Sequence, residues 1–330
     1  MDRNNPKRAA SSDSQYTLME FMRDFPDDAA CLDWLWRTRY SEDGTHADCP
    51  KCEKQTVFKR YETNVRRQSW TCTGCGHHLH PTADTVFHKS STSLHLWFYA
   101  MYLMTSTRCG ISAKQVEREL GVTYKTAWRM CHLIRTELMT PDHEPLSGEV
   151  EMDETLIGGK PRKSETNAKL RQGLRPKQAG QAAAREKATM VFGMVERGGR
   201  VQAKVVPSRK ANTLMQGIEQ RVLPASMIYT DELKSYDRLS DKGYQHHRVH
   251  HSQGVYVDGD THTQTIEGFW SLVKNGLRGV YHAVSAKHLQ GYLNEYAWRY
   301  NRRDDGSAMF LSLILNSTQE TQSRPSQAVL

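Results

Sequence analysis

Long apolar runs are missing from this chain of 330 residues. Spanning the hydrocarbon core of a bilayer takes about 20 predominantly apolar residues in one stretch, and no segment supplies them. The opening MDRNNPKRAASSDSQ also lacks the apolar centre of a secretory signal. Cysteine is scarce, seven in all, and four of the seven fall into two pairs, which fits a reducing interior better than a disulfide framework. The expectation is a soluble, cytoplasmic protein. Acidic side chains fall short of basic ones, 37 Asp and Glu against 45 Lys and Arg, for a net charge of +8. An anionic partner is favoured by that balance without being established by it. The length allows two or three domains with real cores.

The paired cysteines are Cys49-Pro-Lys-Cys52 and Cys72-Thr-Gly-Cys75. The segment between them is rich in β-prone residues such as Val57, Phe58, Tyr61, Val65 and Trp70. Two such knuckles present four thiolates to one tetrahedral zinc ion, and a site closed by four sulfurs leaves no open position for chemistry. The expected zinc is therefore structural. Cys31, Cys109 and Cys131 lie in or beside apolar helical patterns and read as core residues.

Three carboxylates stand in distinct local settings. Asp153 follows Val150 and Met152, which alternate with Glu149, Glu151 and Asp153 as in a half-buried strand. Asp231 follows the apolar run Met227-Ile228-Tyr229, so both aspartates are expected where strands give out. Glu267 opens a helical pattern in which Ile266, Phe269, Trp270, Val273 and Leu277 form a core-facing stripe. Glu267, Ser271 and Lys274 share a neighbouring face of that helix. A helix laid across a sheet would thus complete an acidic triad, with Lys274 two turns along as a phosphate contact. Magnesium suits a few carboxylates plus substrate phosphate, and a pair of such ions suits in-line displacement at phosphorus. Asp and Glu are also ordinary surface residues, and Glu149, Glu151 and Glu154 crowd Asp153 closely enough to serve in its place.

Between these two features lies a helical block. Leu94 to Met104 form one strongly apolar helix. Ser112 to Gln115 then open a short helix with a capping-box pattern, Gly121-Val122 makes a turn, and Thr123 caps a second helix. Ala127, Met130, Cys131 and Ile134 would face inward, leaving Tyr124, Lys125, Arg129 and His132 outside. Two short helices joined in this way match the helix-turn-helix, whose second helix carries base-contacting residues near its start. Helical hairpins that never touch DNA share the pattern.

Residues 160–188 hold nine Lys or Arg against two Glu, nearly the whole positive excess. Several glycines and prolines and few large apolar residues make the segment read as a flexible basic loop, 158–188, inserted after the Asp153 strand. Lys160, Arg162, Lys163, Arg171, Arg175 and Lys177 are its candidate phosphate contacts; a merely solvated loop is the plain alternative. Beyond it, Met190–Val195 and Val201–Val206 read as a β-hairpin turned at Gly198-Gly199, and Leu214–Val222 as a helix leading to the Asp231 strand.

The overall expectation is an α/β multidomain chain. It comprises a disordered tail (1–15), a helical lead with the zinc ribbon (16–90), a helix-turn-helix region (91–140), a catalytic domain with a mixed sheet and helices in ribonuclease H-like order (141–315), and a polar tail (316–330). From about Leu18 to Arg303 the chain resembles DDE-type transposases of bacterial insertion sequences that carry an N-terminal zinc ribbon. The likeness is carried by FPDDAACLDWLWRTRY with CPKC, HPTADTVFHKSSTSLHLWFYAMYLM, ELGVTYKTAWRMCHLIR, VEMDETLIGG and THTQTIEGFWSLVKNGLRGVYHAVSAKHLQGYLNEYAWRYNRR. Gln264 stands where that pattern has Asn. The resemblance implies that Asp153, Asp231 and Glu267 form the acidic triad, with Lys274 completing the motif and Mg²⁺ or Mn²⁺ as cofactor. It further implies terminal inverted repeats and target DNA as partners, a homo-oligomer on paired ends, no membrane partner, and a nucleoid-associated location. A transposase-derived DNA-binding regulator, or a nuclease or resolvase on the same fold, are the rival readings.

Overall fold

The computed structural model describes residues 16–61, 69–107, 109–141, 144–159, 161–249, 262–303 and 309–319. The chain forms two compact units, residues 1–138 with 304–330, and residues 139–303. Among the described residues no helix is long and apolar enough to cross a membrane.

The first unit begins with α1 (Leu18–Asp24), whose N-terminus is closed by a reciprocal capping box between Thr17 and Glu20. Helix α2 (Asp28–Arg39) follows, capped by Asp27. Four antiparallel strands come next: β1 (His46–Cys49), β2 (Lys54–Tyr61), β3 (Ser69–Cys72) and β4 (His78–Leu79), in sequential order. So small a sheet has little core of its own. Trp36 of α2 supplies some by stacking on Trp70 of β3, ring centroids 4.7 Å apart, and by packing on Phe58.

Helix α3 (Leu94–Ser106) is the apolar helix expected from the sequence, with Leu94, Trp97, Phe98, Met101 and Met104 buried. Helices α4 (Ala113–Leu120) and α5 (Tyr124–Leu133) are joined by Gly121, whose φ of 63° is a left-handed conformation that ends α4 without Cβ strain. Ser112 accepts from the N–H of Gln115, but the other half of the expected capping box is absent because the Gln115 side chain donates to Glu119 instead. Helix α5 runs into a single π-helical turn, Ile134–Leu138. The helix Met309–Asn316 corrects the expectation that it belongs with residues 141–315. Its Phe310 packs against Phe21, Phe25 and Tyr102, an aromatic cluster of the first unit.

The second unit is built on a five-stranded sheet. Its strands are β5 (Glu149–Gly158), β6 (Ala188–Glu196), β7 (Val201–Val205), β8 (Met227–Thr230) and β9 (Gln245–Arg248), in the order β7-β6-β5-β8-β9. The three long-paired strands β7, β6 and β5 are antiparallel, while β5, β8 and β9 run parallel. Side chains alternate across the sheet. Val150, Met152, Phe192 and Met194 pack with Leu214, Met215 and Ile218 of α8 (Ala211–Arg221) and with Tyr236. On the opposite face Ile157, Val191 and Val195 pack with the stripe of α9 (Gln264–Gly276), Ile266, Phe269, Trp270 and Val273, and with α10 (Leu289–Asn301).

The basic segment corrects a second expectation. Instead of a loop, residues after Pro161 form two helices, α6 (Lys163–Arg171) and α7 (Pro176–Lys187). Proline in the first turn costs α7 no hydrogen bond, and the alanines are strong helix formers. Ala179 and Ala183 are buried. Opposed charges then link the pair, Lys187 to Glu165 at 3.2 Å and Lys169 to Glu186. Composition alone had concealed this face of small residues.

A candidate acidic active site and a four-cysteine metal centre

In the first unit the β1–β2 and β3–β4 turns bring Cys49, Cys52, Cys72 and Cys75 together, with all four sulfurs within 4.8 Å of one another. Cys49 and Cys75 lie 3.6 Å apart and Cys52 and Cys72 3.8 Å. A tetrahedron with Zn–S bonds of about 2.3 Å has edges of about 3.8 Å, so the donor set fits zinc. The Thr56 hydroxyl, 3.2 Å from the Cys72 sulfur, does most to hold that thiol down at about 6, helped by the N–H groups of Cys75 and Gly74. Its neighbour Cys52 is pushed up to about 12, first by its hydrogen bond with Cys75 and then by burial. Four thiolates this close cannot all ionise without a cation between them.

In the second unit the strand–helix arrangement gathers carboxylates. Asp153 lies in the middle of β5, not at its end as the sequence suggested. The parallel pairing with β8 covers Glu149 to Glu151 only, so from Met152 on β5 is paired on its β6 side alone, with Asp153 opposite Gly193. Asp231 is the first residue beyond β8, and its carboxylate turns back to accept from the N–H of Leu233 at 3.0 Å. Carboxylate oxygens of Asp153, Glu154 and Asp231 lie within 4.8 Å of one another. Glu154, one of the crowding residues, thus stands in the cluster. Glu267 of α9 is exposed and is not one of that group; burial, then Asp231, then Glu267 raise the Asp153 carboxyl to about 6, and Lys274 opposes them. Glu154 is raised to about 7, chiefly by burial, with Asp231 and Asp153 adding to it against the Tyr236 hydroxyl. A half-buried set of like charges that raises its own carboxyls in this way suits a cation site or a functional site. The oxygen-only donors fit magnesium or manganese.

Glu151 departs furthest from its expected place. It is 0% exposed. Its carboxylate accepts from the N–H groups of Thr265 (2.7 Å) and Ile266 (3.0 Å), from the Thr265 hydroxyl (2.9 Å) and from Arg197 Nε (2.9 Å). His262 Nδ1 lies 3.2 Å from the same carboxylate. No sequence pattern marks such a residue, because its partners lie 46 to 115 positions away.

Of the residues read as DNA contacts, Tyr124, Lys125 and Arg129 are exposed on α5, while Ala127, Met130 and Cys131 are buried beneath them. Arg162, Lys163, Arg171, Arg175 and Lys177 lie on or beside α6 and α7, at least partly exposed. Lys160 falls outside the described residues.

A family model described as the ISXO2-like transposase domain matches residues 145–301, a range enclosing Asp153, Asp231, Glu267 and Lys274. An uncharacterized protein in transposable element ISH50 of Halobacterium salinarum is 31% identical over 258 residues, which is 76% of this chain and 84% of that protein. An uncharacterized transposase-like protein of Haemophilus influenzae is 31% identical over 105 residues, 32% of this chain and 84% of its own length. A cryo-EM structure of the simian T-cell lymphotropic virus intasome with the PP2A regulatory subunit B56 gamma covers 70% of this chain and 78% of its own at 14% identity. Its TM-score is 0.29. The sequence relationships define the class, insertion-sequence transposases of the DDE type. Within that class the chain belongs to the ISXO2-like transposase family.

Proposed function

We propose that this protein cuts the ends of an insertion sequence and joins them to target DNA, using Asp153, Asp231 and Glu267 as its catalytic carboxylates. The observation that carries the reading is the gathering of Asp153 and Glu154 of β5 with Asp231 at the end of β8 in one half-buried cluster, with Glu267 and Lys274 of α9 near enough to act electrostatically on Asp153. The strand order β7-β6-β5-β8-β9, three strands antiparallel and three parallel, supports a ribonuclease H-like catalytic domain.

Two divalent ions, when bound, would supply Lewis-acid activation of the attacking oxygen and stabilise the leaving one. The chain's own residues hold and orient. Asp153 and Asp231 would ligate from the sheet, with Glu154 as a further oxygen donor, and Glu267 from the helix. Lys274 would grip a phosphate of the bound strand. In the first reaction a water oxygen forms the new bond to phosphorus, the bond to the 3′-oxygen breaks, and a 3′-hydroxyl is left. In the second that hydroxyl attacks a target phosphate and a target 3′-oxygen departs. One phosphodiester is exchanged for another, so no nucleotide cofactor is required.

Helices α4 and α5 would act as a helix-turn-helix, presenting Tyr124, Lys125 and Arg129 to the terminal inverted repeats. The α6–α7 pair would neutralise backbone phosphates. Zinc at the four cysteines would hold the small sheet together, and a homo-oligomer would pair the two ends in the nucleoid.

The test uses the full chain and a labelled DNA fragment carrying the sequences that flank its coding region. With Mg²⁺ or Mn²⁺ the wild type yields cleaved ends and joined products. Asp231→Asn loses both while still binding the fragment. Loss of binding together with cleavage would instead make Asp231 structural. Binding without cleavage by the wild type would favour a regulator, and cleavage without joining a nuclease or resolvase.

A further inference from the structure

We infer that Glu151 is a positioning residue that sets the register of Glu267 against Asp153 by serving as the N-terminal cap of α9 from across the fold. The inference rests on the reading of Asp153 and Glu267 as catalytic carboxylates.

The first turn of a helix has N–H groups without intrahelical partners, and a local Ser, Thr, Asp or Asn normally accepts from them. Thr263 occupies that position in α9 but makes no side-chain cap. Its hydroxyl donates to Glu267 Oε1 at 3.2 Å instead. The capping is done by Glu151, which takes the N–H groups of Thr265 and Ile266 on one oxygen, Oε2. Its other oxygen takes the Thr265 hydroxyl and Arg197 Nε. A carboxylate with no exposed surface is tenable only when its charge is matched and its lone pairs are filled. Both conditions are met, and the helix dipole adds attraction of the right sign.

The geometry makes the clamp a ruler. Glu151 and Asp153 lie on the same face of β5, two residues apart, about 7 Å along the strand. Thr265 and Glu267 are likewise two residues apart on α9. Fixing Thr265 to Glu151 therefore fixes the distance at which Glu267 is offered to Asp153. Arg197 braces the same joint. Its remaining nitrogens reach Glu149 and the carbonyl of His262 at 2.9 Å each, and its guanidinium lies 3.9 Å from the Tyr229 ring centroid, two residues before Asp231. One cluster thus ties together the elements that bear all three carboxylates. The local cap, Thr263, is left free to hold Glu267 itself.

Full-length wild type, Glu151→Gln, Glu151→Asp and Glu267→Gln are compared by two readouts, neither of which needs DNA. Hydrogen exchange of the metal-free proteins reports the start of α9, and titration with Mn²⁺ alone reports metal affinity. Glu151→Gln is expected to raise exchange over residues 264–268 while leaving β8 protected, and to weaken Mn²⁺ binding about 10- to 100-fold, as loss of a supporting partner does. Unchanged Mn²⁺ affinity, or a rise in exchange spread equally over β8, would overturn the proposal. If Glu151→Gln does not fold, Glu151→Asp decides. It keeps the charge but withdraws the carboxylate by about 1.5 Å, so weakened Mn²⁺ binding supports the ruler and wild-type affinity refutes it. Should Glu267→Gln itself leave Mn²⁺ affinity intact, the catalytic reading fails independently of Glu151.

Discussion

Gly193 lies opposite Asp153 in the β5–β6 ladder, and replacing it with alanine tests whether the carboxylates depend on how closely α9 sits on the sheet. A Cβ there would stand 2.4 and 2.8 Å from two ring atoms of Trp270 and 2.9 Å from Ile266 Cδ1. Carbon atoms pack comfortably at about 3.5 Å or more, so α9 must retreat by about 1 Å. Trp270 and Ile266 are buried at 3% and 0% exposure and have nowhere to rotate. Overpacking of this kind costs about 1–3 kcal/mol, which for a unit of this size lowers the melting temperature by roughly 3–10 °C. The retreat carries Glu267, which sits between the two displaced side chains. A shift of about 1 Å in a catalytic group costs on the order of 100-fold in rate. Calorimetry and end cleavage under saturating Mg²⁺ measure both effects. Gly268→Ala on the same helix is the control, since nothing lies within 4 Å of its Cβ, and it should match or slightly exceed wild-type stability. Trimming the clash with Trp270→Phe in the Gly193→Ala background should recover part of the rate. A Gly193→Ala protein with wild-type stability and cleavage would refute the claim that helix seating sets the site.

Chelation of zinc should unfold the β1–β4 sheet, and because Trp36 stacks on Trp70 the loss reads out as a change in tryptophan fluorescence; an unaltered spectrum with zinc gone contradicts the four-cysteine centre. Glu154→Gln should stabilise the metal-free protein at alkaline pH. Glu154 is raised to about 7 when folded, so its favourable neutral form is fully present below its unfolded value near 4.5 and lost as pH climbs through 7. The variant should match wild type at pH 4 and exceed it at pH 8 by up to about 3 kcal/mol. Comparing the two proteins cancels His246, which burial lowers to about 4 and whose contribution runs the opposite way. A variant no more stable than wild type at pH 8 would deny Glu154 a buried charge.

Local features were legible where a single period or motif decided them. The stripe from Ile266 to Val273 announced α9, the apolar run before Asp231 announced β8, and the two CxxC pairs announced the sulfur cluster. The α6–α7 segment misled because glycine, proline and lysine outweighed the alanines in its composition, although Pro176 stood in a helix-starting position. Glu151 and Glu154 could not be told from Asp153 on a strand of alternating acids, because strand period says which face a residue takes and nothing of what lies opposite. Only the tertiary structure puts a helix N-terminus over Glu151 and Tyr236 beside Glu154. Phe310 was likewise unreadable, since its aromatic partners come from the far end of the chain.

The most direct measurement is anomalous diffraction from crystals of the protein soaked in Mn²⁺. The account predicts manganese density held jointly by carboxylate oxygens of Asp153, Asp231 and Glu267, on the open edge of β5 beyond β8. Manganese bound elsewhere, or ligated by Asp153, Glu154 and Asp231 with Glu267 turned away to solvent, would contradict it.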